Sequence, residues 1–176
     1  MPHHEVGHPR RLSMTVLMTP ETANFSGKVH GGHVLKLLDQ VAYACATRYC
    51  GHYAVTLAVD QVFFRSPIHV GELVTFLASV NYTGRTSMEV GIKVIAEDNR
   101  SRKSRHVLSS FFTLVAVDES GKPCPVEPLE HENDEDRRRW TEAELRRKLR
   151  EDLESRHREI RKKPKAQANR KRASKV

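Results

Sequence analysis

Between residues 24 and 40 the chain reads NFSGKVHGGHVLKLLDQ. The residue types able to do chemistry here are an amide, Asn24; two glycines, Gly31 and Gly32, flanked by His30 and His33; and a carboxylate, Asp39. If the glycines open a helix, their N–H groups belong to its first turn, where amides lack intrahelical acceptors and the helix dipole leaves partial positive charge. Glycine lets a ligand oxygen come close to such amides, which suits a carbonyl oxygen that gains negative charge during acyl transfer. The same glycines would also serve a tight turn or close packing beneath a sheet. Asp39 interrupts an apolar run. Burial there would raise its pKa and basicity, as expected of a nucleophile, a general base or a structural hydrogen-bond acceptor. Asn24, on local grounds, reads as an Asx-turn residue.

Spacing adds a constraint. Seven residues separate Gly32 from Asp39, about 10 Å along a helix at ~1.5 Å per residue. That is too far for both to serve one carbonyl. If both act on the same acyl carbon, Asp39 comes from a second subunit whose central helix runs antiparallel to the first, which predicts a two-fold dimer with composite sites.

The elements that must position these residues are legible from periodicity. From about His30 to Tyr49, Val34, Leu37, Leu38, Val41, Ala42, Cys45 and Ala46 recur at helical spacing, with Leu35, Ala44 and Tyr49 filling much of the circumference. That predicts a long buried helix. Residues 72 to 82 (ELVTFLASVNY) and 88 to 96 (MEVGIKVIA) alternate as strands about the turn TGRTS, an antiparallel hairpin. Segments 53 to 65 and 105 to 118 are rich in β-branched and aromatic residues, and a short first strand spans about 12 to 18. The order predicts an α+β domain, a curved antiparallel sheet wrapped around one central helix.

Charge is unevenly placed. Residues 1 to 136 carry 13 Lys and Arg against 16 Asp and Glu, whereas residues 137 to 176 carry 17 against 6. The net charge of +8 therefore belongs to the C-terminal portion, and nucleic acid is not an expected partner of the acidic body. We expect a linker over 126–140, a charged helix over 141–163 capped by Thr141 and Glu144 with Trp140 and Leu145 as a hydrophobic staple, and a basic disordered tail over 164–176. Leu145, Leu149, Leu153 and Ile160 form a thin stripe on that helix, suited to packing on its own body or a sister subunit.

No apolar run approaches the roughly 20 residues of a spanning helix, and the N-terminus lacks the apolar block of a secretory signal. A cytoplasmic protein is expected. Cys45, Cys50 and Cys124 contain no CxxC pair and read as free thiols, Cys45 packed in the helix. His30 and His33 lack a Cys or Glu partner at metal spacing, and His3, His4 and His8 cluster only loosely. No metal site is expected.

The segments NFSGKVHGGHVLKLLDQVAYACA, VDQVFFRSPIHVGELV and YTGRTSMEVGIKV together resemble the acyl-coenzyme A thioesterases of the hotdog fold, in particular the YciA-type and brain acyl-CoA hydrolase group. The resemblance covers about residues 8 to 125. It implies a hotdog domain, dimers joined through their sheets and commonly a trimer of dimers, hydrolysing acyl-CoA to a free fatty acid and coenzyme A. The coenzyme A moiety is then part of the substrate, and no separate cofactor is implied. The family's catalytic pair falls on Asn24 and Asp39, with the thioester carbonyl at Gly31 and Gly32. Asp39 would activate water or attack to form a transient anhydride; Asn24 would orient the water or donate to the oxyanion. Coenzyme A phosphates call for cations and turn amides, and RSP (Arg65, Ser66) and TGRTS (Gly84, Arg85, Thr86, Ser87) look like the family segments lining the cofactor's path. Another hotdog acyl-thioester enzyme, such as a dehydratase, and a non-catalytic acyl-CoA sensor using its tail on nucleic acid are the alternatives. The Asn24 and Asp39 pairing argues against the dehydratase, whose acid/base pair usually involves His.

Overall fold

The computed structural model describes residues 10–173, with side chains through residue 162; His3, His4 and His8, like residues 174–176, lie outside the described residues. Five strands, β1 (Arg11–Leu17), β2 (Tyr53–Val59), β3 (Leu73–Thr83), β4 (Ser87–Glu97) and β5 (Ser104–Val117), form one antiparallel sheet in the order β1-β3-β4-β5-β2. Helix α1 (Gly31–Cys50) leaves the chain between β1 and β2 and packs against all five strands. This is the predicted α+β plan.

The alternation that marked the strands is what builds the core. Val74, Phe76, Ala78 and Val80 of β3, and Met88, Val90, Ile92, Val94 and Ala96 of β4, are buried on the face that meets α1. On the helix, Val34, Leu37, Leu38, Val41, Ala42, Cys45 and Ala46 are buried, a stripe at helical spacing. Gly51, at φ 69°, closes the helix in the left-handed conformation that a residue without a Cβ adopts readily.

Three details differ from the sequence reading. The ladder of β3 shifts register between Val80 and Tyr82, so Asn81 is a bulge and Tyr82 pairs with Glu89 rather than continuing the inward row. Gly91 makes room for that bulge, since a Cβ there would lie 2.3 Å from Asn81 Nδ2. Strand β2 stops at Val59, after a register shift between Thr56 and Ala58. Beyond it the chain is tied to β5 by Asp60 N–H to Phe111 O and Arg65 N–H to Val107 O. Finally, α1 is not buried all round: Leu35, Asp39 and Tyr43, at i, i+4 and i+8, are exposed because the sheet covers only the opposite side.

The chain divides into two compact units, the first through His131 and the second from Glu132. The second contains helix α2 (Asp134–Ala173), which starts seven residues before the expected Thr141. Asn133 Oδ1 accepts the Asp136 N–H at 2.9 Å as the actual cap, and Asp134, Glu135 and Asp136 place negative charge in the first turn. Thr141 is inside the helix, its hydroxyl donating to Arg137 O at 2.9 Å. The backbone also stays helical past Pro164 to Ala173 where a disordered tail was expected; a proline removes one hydrogen bond and kinks a helix without necessarily ending it. No helix among the described residues is long and apolar enough to cross a membrane.

Candidate active site at the start of helix α1

The first turn of α1 offers few free amides. His33 N–H and Val34 N–H both donate to His30 O, at 2.9 and 3.3 Å. His30 is the N-cap, and its Nδ1 accepts the Gly32 N–H at 2.9 Å. A Cβ on Gly32 would lie 3.1 Å from that nitrogen, so the glycine lets the imidazole close onto the amide. Of the two glycines predicted to hold an oxyanion, Gly32 is therefore occupied, and Gly31 is the residue whose N–H has no acceptor among the described residues. The Phe64 ring stands beside it, with Cζ 3.7 Å from where a Gly31 Cβ would be.

Asn24 combines the two readings made of it. Its Oδ1 accepts from Ser26 N–H (2.9 Å), Ser26 Oγ–H (2.8 Å) and Lys28 N–H (3.2 Å), an Asx-turn. Three donors on one oxygen fix the plane of the amide, and the Nδ2 donors make no hydrogen bond among the described residues. The turn thus presents an oriented donor. The backbone pair Asn24 N–H to Lys28 O (2.7 Å) closes the loop, and Val29 N–H to Ile68 O (2.9 Å) ties it to the segment that follows Phe64 and Arg65.

Asp39 lies eight residues beyond Gly31, about 12 Å along the helix. Burial was expected for it, but within the single chain it is exposed. Its Oδ1 accepts the Thr56 hydroxyl of β2 at 2.7 Å. Thr56 was not singled out from the sequence; the one clue was a hydroxyl within the otherwise apolar run YAVTLAV.

The two coenzyme A segments proposed from the sequence are separated by the fold. Arg65 is bonded to Val107 near the start of β5, whereas Ala116, near its end, donates to Thr86 O at 2.9 Å. Nine residue steps of strand separate them, about 30 Å at ~3.4 Å per residue. Arg65 and Ser66 thus share the end of the sheet where Gly31 lies, and the Ser66 hydroxyl there is buried without a hydrogen-bond partner among the described residues. Gly84 to Ser87 form a turn closed by Gly84 N–H to Ser87 O (2.7 Å) and held by Val126 N–H to Arg85 O (3.0 Å). That turn sits toward Asp39 and Thr56, since Thr56 pairs with Leu114.

The loop carrying Arg65 and Ser66 is clamped by a bidentate ion pair. Arg105 Nη1 and Nη2 donate to Glu72 Oε1 and Oε2 at 2.7 and 2.8 Å, Nη2 also reaches Pro67 O, and His69 N–H donates to Glu72 Oε2 at 2.9 Å. Burial works to raise the Glu72 pKa, but the Arg105 hydrogen bond, the His69 amide and the nearby positive charge outweigh it and hold the carboxyl below its ordinary 4.5.

Other reactive side chains have structural explanations. Burial pushes the Cys45 thiol up to about 12, so it stays protonated at neutral pH. The capping bond uses His30 Nδ1, and the described residues contain no group of three His, Cys, Asp or Glu able to hold a metal.

The profile of the thioesterase superfamily matches residues 26–103. Protein VdlD of Helicobacter pylori is 51% identical over 140 residues, covering 80% of each chain. A crystal structure of an apo-hexameric acyl-CoA thioesterase is 36% identical with a TM-score of 0.78, over 81% of this chain and 92% of that one. The acyl-CoA hydrolase of Staphylococcus aureus, solved with butyryl coenzyme A and coenzyme A, is 28% identical with a TM-score of 0.75, over 84% and 91%. Alanine variants of that hydrolase at an aspartate, an asparagine and a threonine have also been solved. Those three residues stand at the same intervals as Asp39, Asn24 and Thr56: fifteen residues from Asn to Asp and seventeen from Asp to Thr.

Proposed function

Because the chain belongs to the thioesterase superfamily and is a thioester hydrolase of the hotdog fold, we propose that it hydrolyses acyl-CoA at composite sites, each built from two subunits. One half-site is Asn24, Gly31, Phe64, Arg65 and Ser66; the other is Asp39, Thr56 and the turn Gly84 to Ser87. The single observation that carries this is the helix geometry. The free first-turn amide at Gly31 and the carboxylate of Asp39 lie on one rigid helix, about 12 Å apart, so one carbonyl can meet both only if they come from different chains.

A second copy has a surface to dock on. Strand β2 is an edge of the sheet, and Tyr53, Val55, Leu57 and Val59 on it are exposed, as are Leu35 and Tyr43 on α1. An open edge bearing exposed apolar side chains favours pairing with another chain. A two-fold axis beside β2 would run the two α1 helices antiparallel and bring Asp39 of the partner subunit toward Gly31. Such dimers, assembled in threes, would make a hexamer of the kind the related apo-hexameric thioesterase is named for.

In the reaction the thioester oxygen would accept from Gly31 N–H and Asn24 Nδ2–H, beside the Phe64 ring. Asp39 of the partner subunit, held by its Thr56, would take a proton from an attacking water as the oxyanion forms. Attack by the carboxylate itself, through an anhydride that water then opens, gives the same products. Collapse of the adduct breaks the C–S bond; the fatty acid leaves, and the coenzyme A thiolate takes the proton. Arg65 and Ser66 from one chain and Gly84 to Ser87 from the other would line the coenzyme A path. The test is thiol-detected release of coenzyme A from acetyl-, butanoyl- and palmitoyl-CoA by the purified chain. Turnover of at least one, abolished in Asp39→Ala, is the expected result; absence of turnover with all three would refute the reading.

A further inference from the structure

Among the side chains described, helix α2 carries every exposed large apolar residue of its unit in one stripe. Leu145, Leu149, Leu153 and Ile160 are 57%, 59%, 55% and 63% exposed and fall within an arc of about 80° at 3.6 residues per turn. We propose that this stripe is a contact surface for a second copy of the same helix, paired antiparallel.

The charges along α2 specify both the partner and the direction. Residues 134–144 hold five acids and three bases, and residues 145–162 hold four acids and eight bases. A parallel pair would set Arg146, Arg147 and Lys148 against themselves. An antiparallel pair centred near residues 152 and 153 sets residues 134–144 of each helix against residues 161–171 of the other, which hold six bases and no acids, with Leu145 facing the partner's Ile160. Complementary ends of this kind fix orientation in paired helices.

A nucleic-acid ligand fits the same helix less well. Among the side chains described, through residue 162, most of its cations are already engaged along the helix. Arg138 and Arg139 pair with Glu135, Arg147 with Glu151 (3.0 Å), Lys148 with Glu144 (3.2 Å), Arg156 with Asp152 (2.9 Å) and Arg158 with Glu154 (2.8 Å). A phosphate backbone would have to displace those carboxylates, and it would leave the apolar stripe uncovered.

Disulfide trapping in the full chain tests the pairing, with the unsubstituted protein as background for Cys45, Cys50 and Cys124. Under mild oxidation Leu153→Cys, next to the proposed two-fold axis, is expected to give an intermolecular cross-link. The double variant Leu145→Cys, Ile160→Cys is expected to cross-link between chains, while Leu145→Cys alone stays at background. No cross-link from Leu153→Cys above background would overturn the proposal, as would Leu145→Cys linking to itself as readily as the double variant. So would steep, salt-dependent binding of a 20-base-pair DNA duplex by a full chain that shows no cross-link.

Discussion

The Thr56 hydroxyl on β2 donates to Asp39 Oδ1 on α1 at 2.7 Å, which joins strand to helix at the one carboxylate on the exposed face of α1. The bond occupies one carboxylate oxygen and leaves the other open to water or substrate. Asp39→Ala should lower kcat by about 10²- to 10⁴-fold, the range of a positioned base. Thr56→Val removes only an orienting hydrogen bond and should cost about 3- to 10-fold, equivalent to ~0.5 to 1.5 kcal/mol. Steady-state kinetics on both variants check the order; a Thr56→Val loss as large as that of Asp39→Ala would give Thr56 a direct part in the chemistry.

Asn24 offers a cleaner separation of structure from catalysis. Asn24→Asp keeps the oxygen that accepts from Ser26 and Lys28 but loses the Nδ2 donors and adds negative charge near Gly31. Thermal melting should be nearly unchanged, while kcat falls by about 10²- to 10³-fold, the scale of a lost oxyanion donor. A variant with normal activity would return Asn24 to a turn residue only.

His30 holds the first turn through Nδ1. His30→Ala should destabilise the protein by about 0.5 to 2 kcal/mol, the usual cost of a lost N-cap. Asn caps at least as well, so His30→Asn should recover the melting temperature and most of the activity. If it recovers only the melting temperature, His30 acts on the substrate as well as on the helix.

These residues show what the sequence could and could not reveal. The inward rows of β3 and β4 and the buried stripe of α1 follow from periods of two and 3.6, because side chains on one face share one environment. Asp39 stood out as a carboxylate in an apolar helical run, but Asn24 read as a turn residue and the pairing of the two came through a resemblance spread over several segments, since an Asn in a loop carries no chemistry by spacing alone. The His30 cap, the Asn81 bulge and the Thr56 bond were missed. Each depends on where a side chain points once the backbone is fixed, and no periodicity encodes that. Asp39 was expected to be buried because its neighbours are apolar, yet one side of α1 is left open by the sheet. RSP and TGRTS look like segments lining the coenzyme A path, but nothing in the sequence says that β5 sets them at opposite ends.

Glu72 and Arg105 hold the loop behind Arg65 and Ser66. The Glu72 carboxyl lies below its ordinary 4.5 in the folded chain, so its contribution is fully present above about 4.5 and is lost as pH falls through the depressed folded value. Glu72→Gln should therefore be less stable than the parent by about 1.5 to 3 kcal/mol at pH 7, the range for hydrogen bonds to a charged group. The gap should hold down to about pH 4.5 and narrow below it. Melting curves across pH 3 to 8 check this, and a gap that widens on acidification would contradict the assignment.

The composite site is tested most directly by mixing two inactive proteins. Asp39→Ala and Asn24→Asp each disable both sites of a two-fold dimer, but a mixed dimer keeps one intact site, with Asn24 and Gly31 from one chain and Asp39 and Thr56 from the other. Co-expressed and purified together with random assortment, the two variants should regain about a quarter of the parent turnover, since half of the dimers are mixed and each has one working site of two. Turnover that remains at the mean of the two separate variants would place the whole site within one chain and contradict the account.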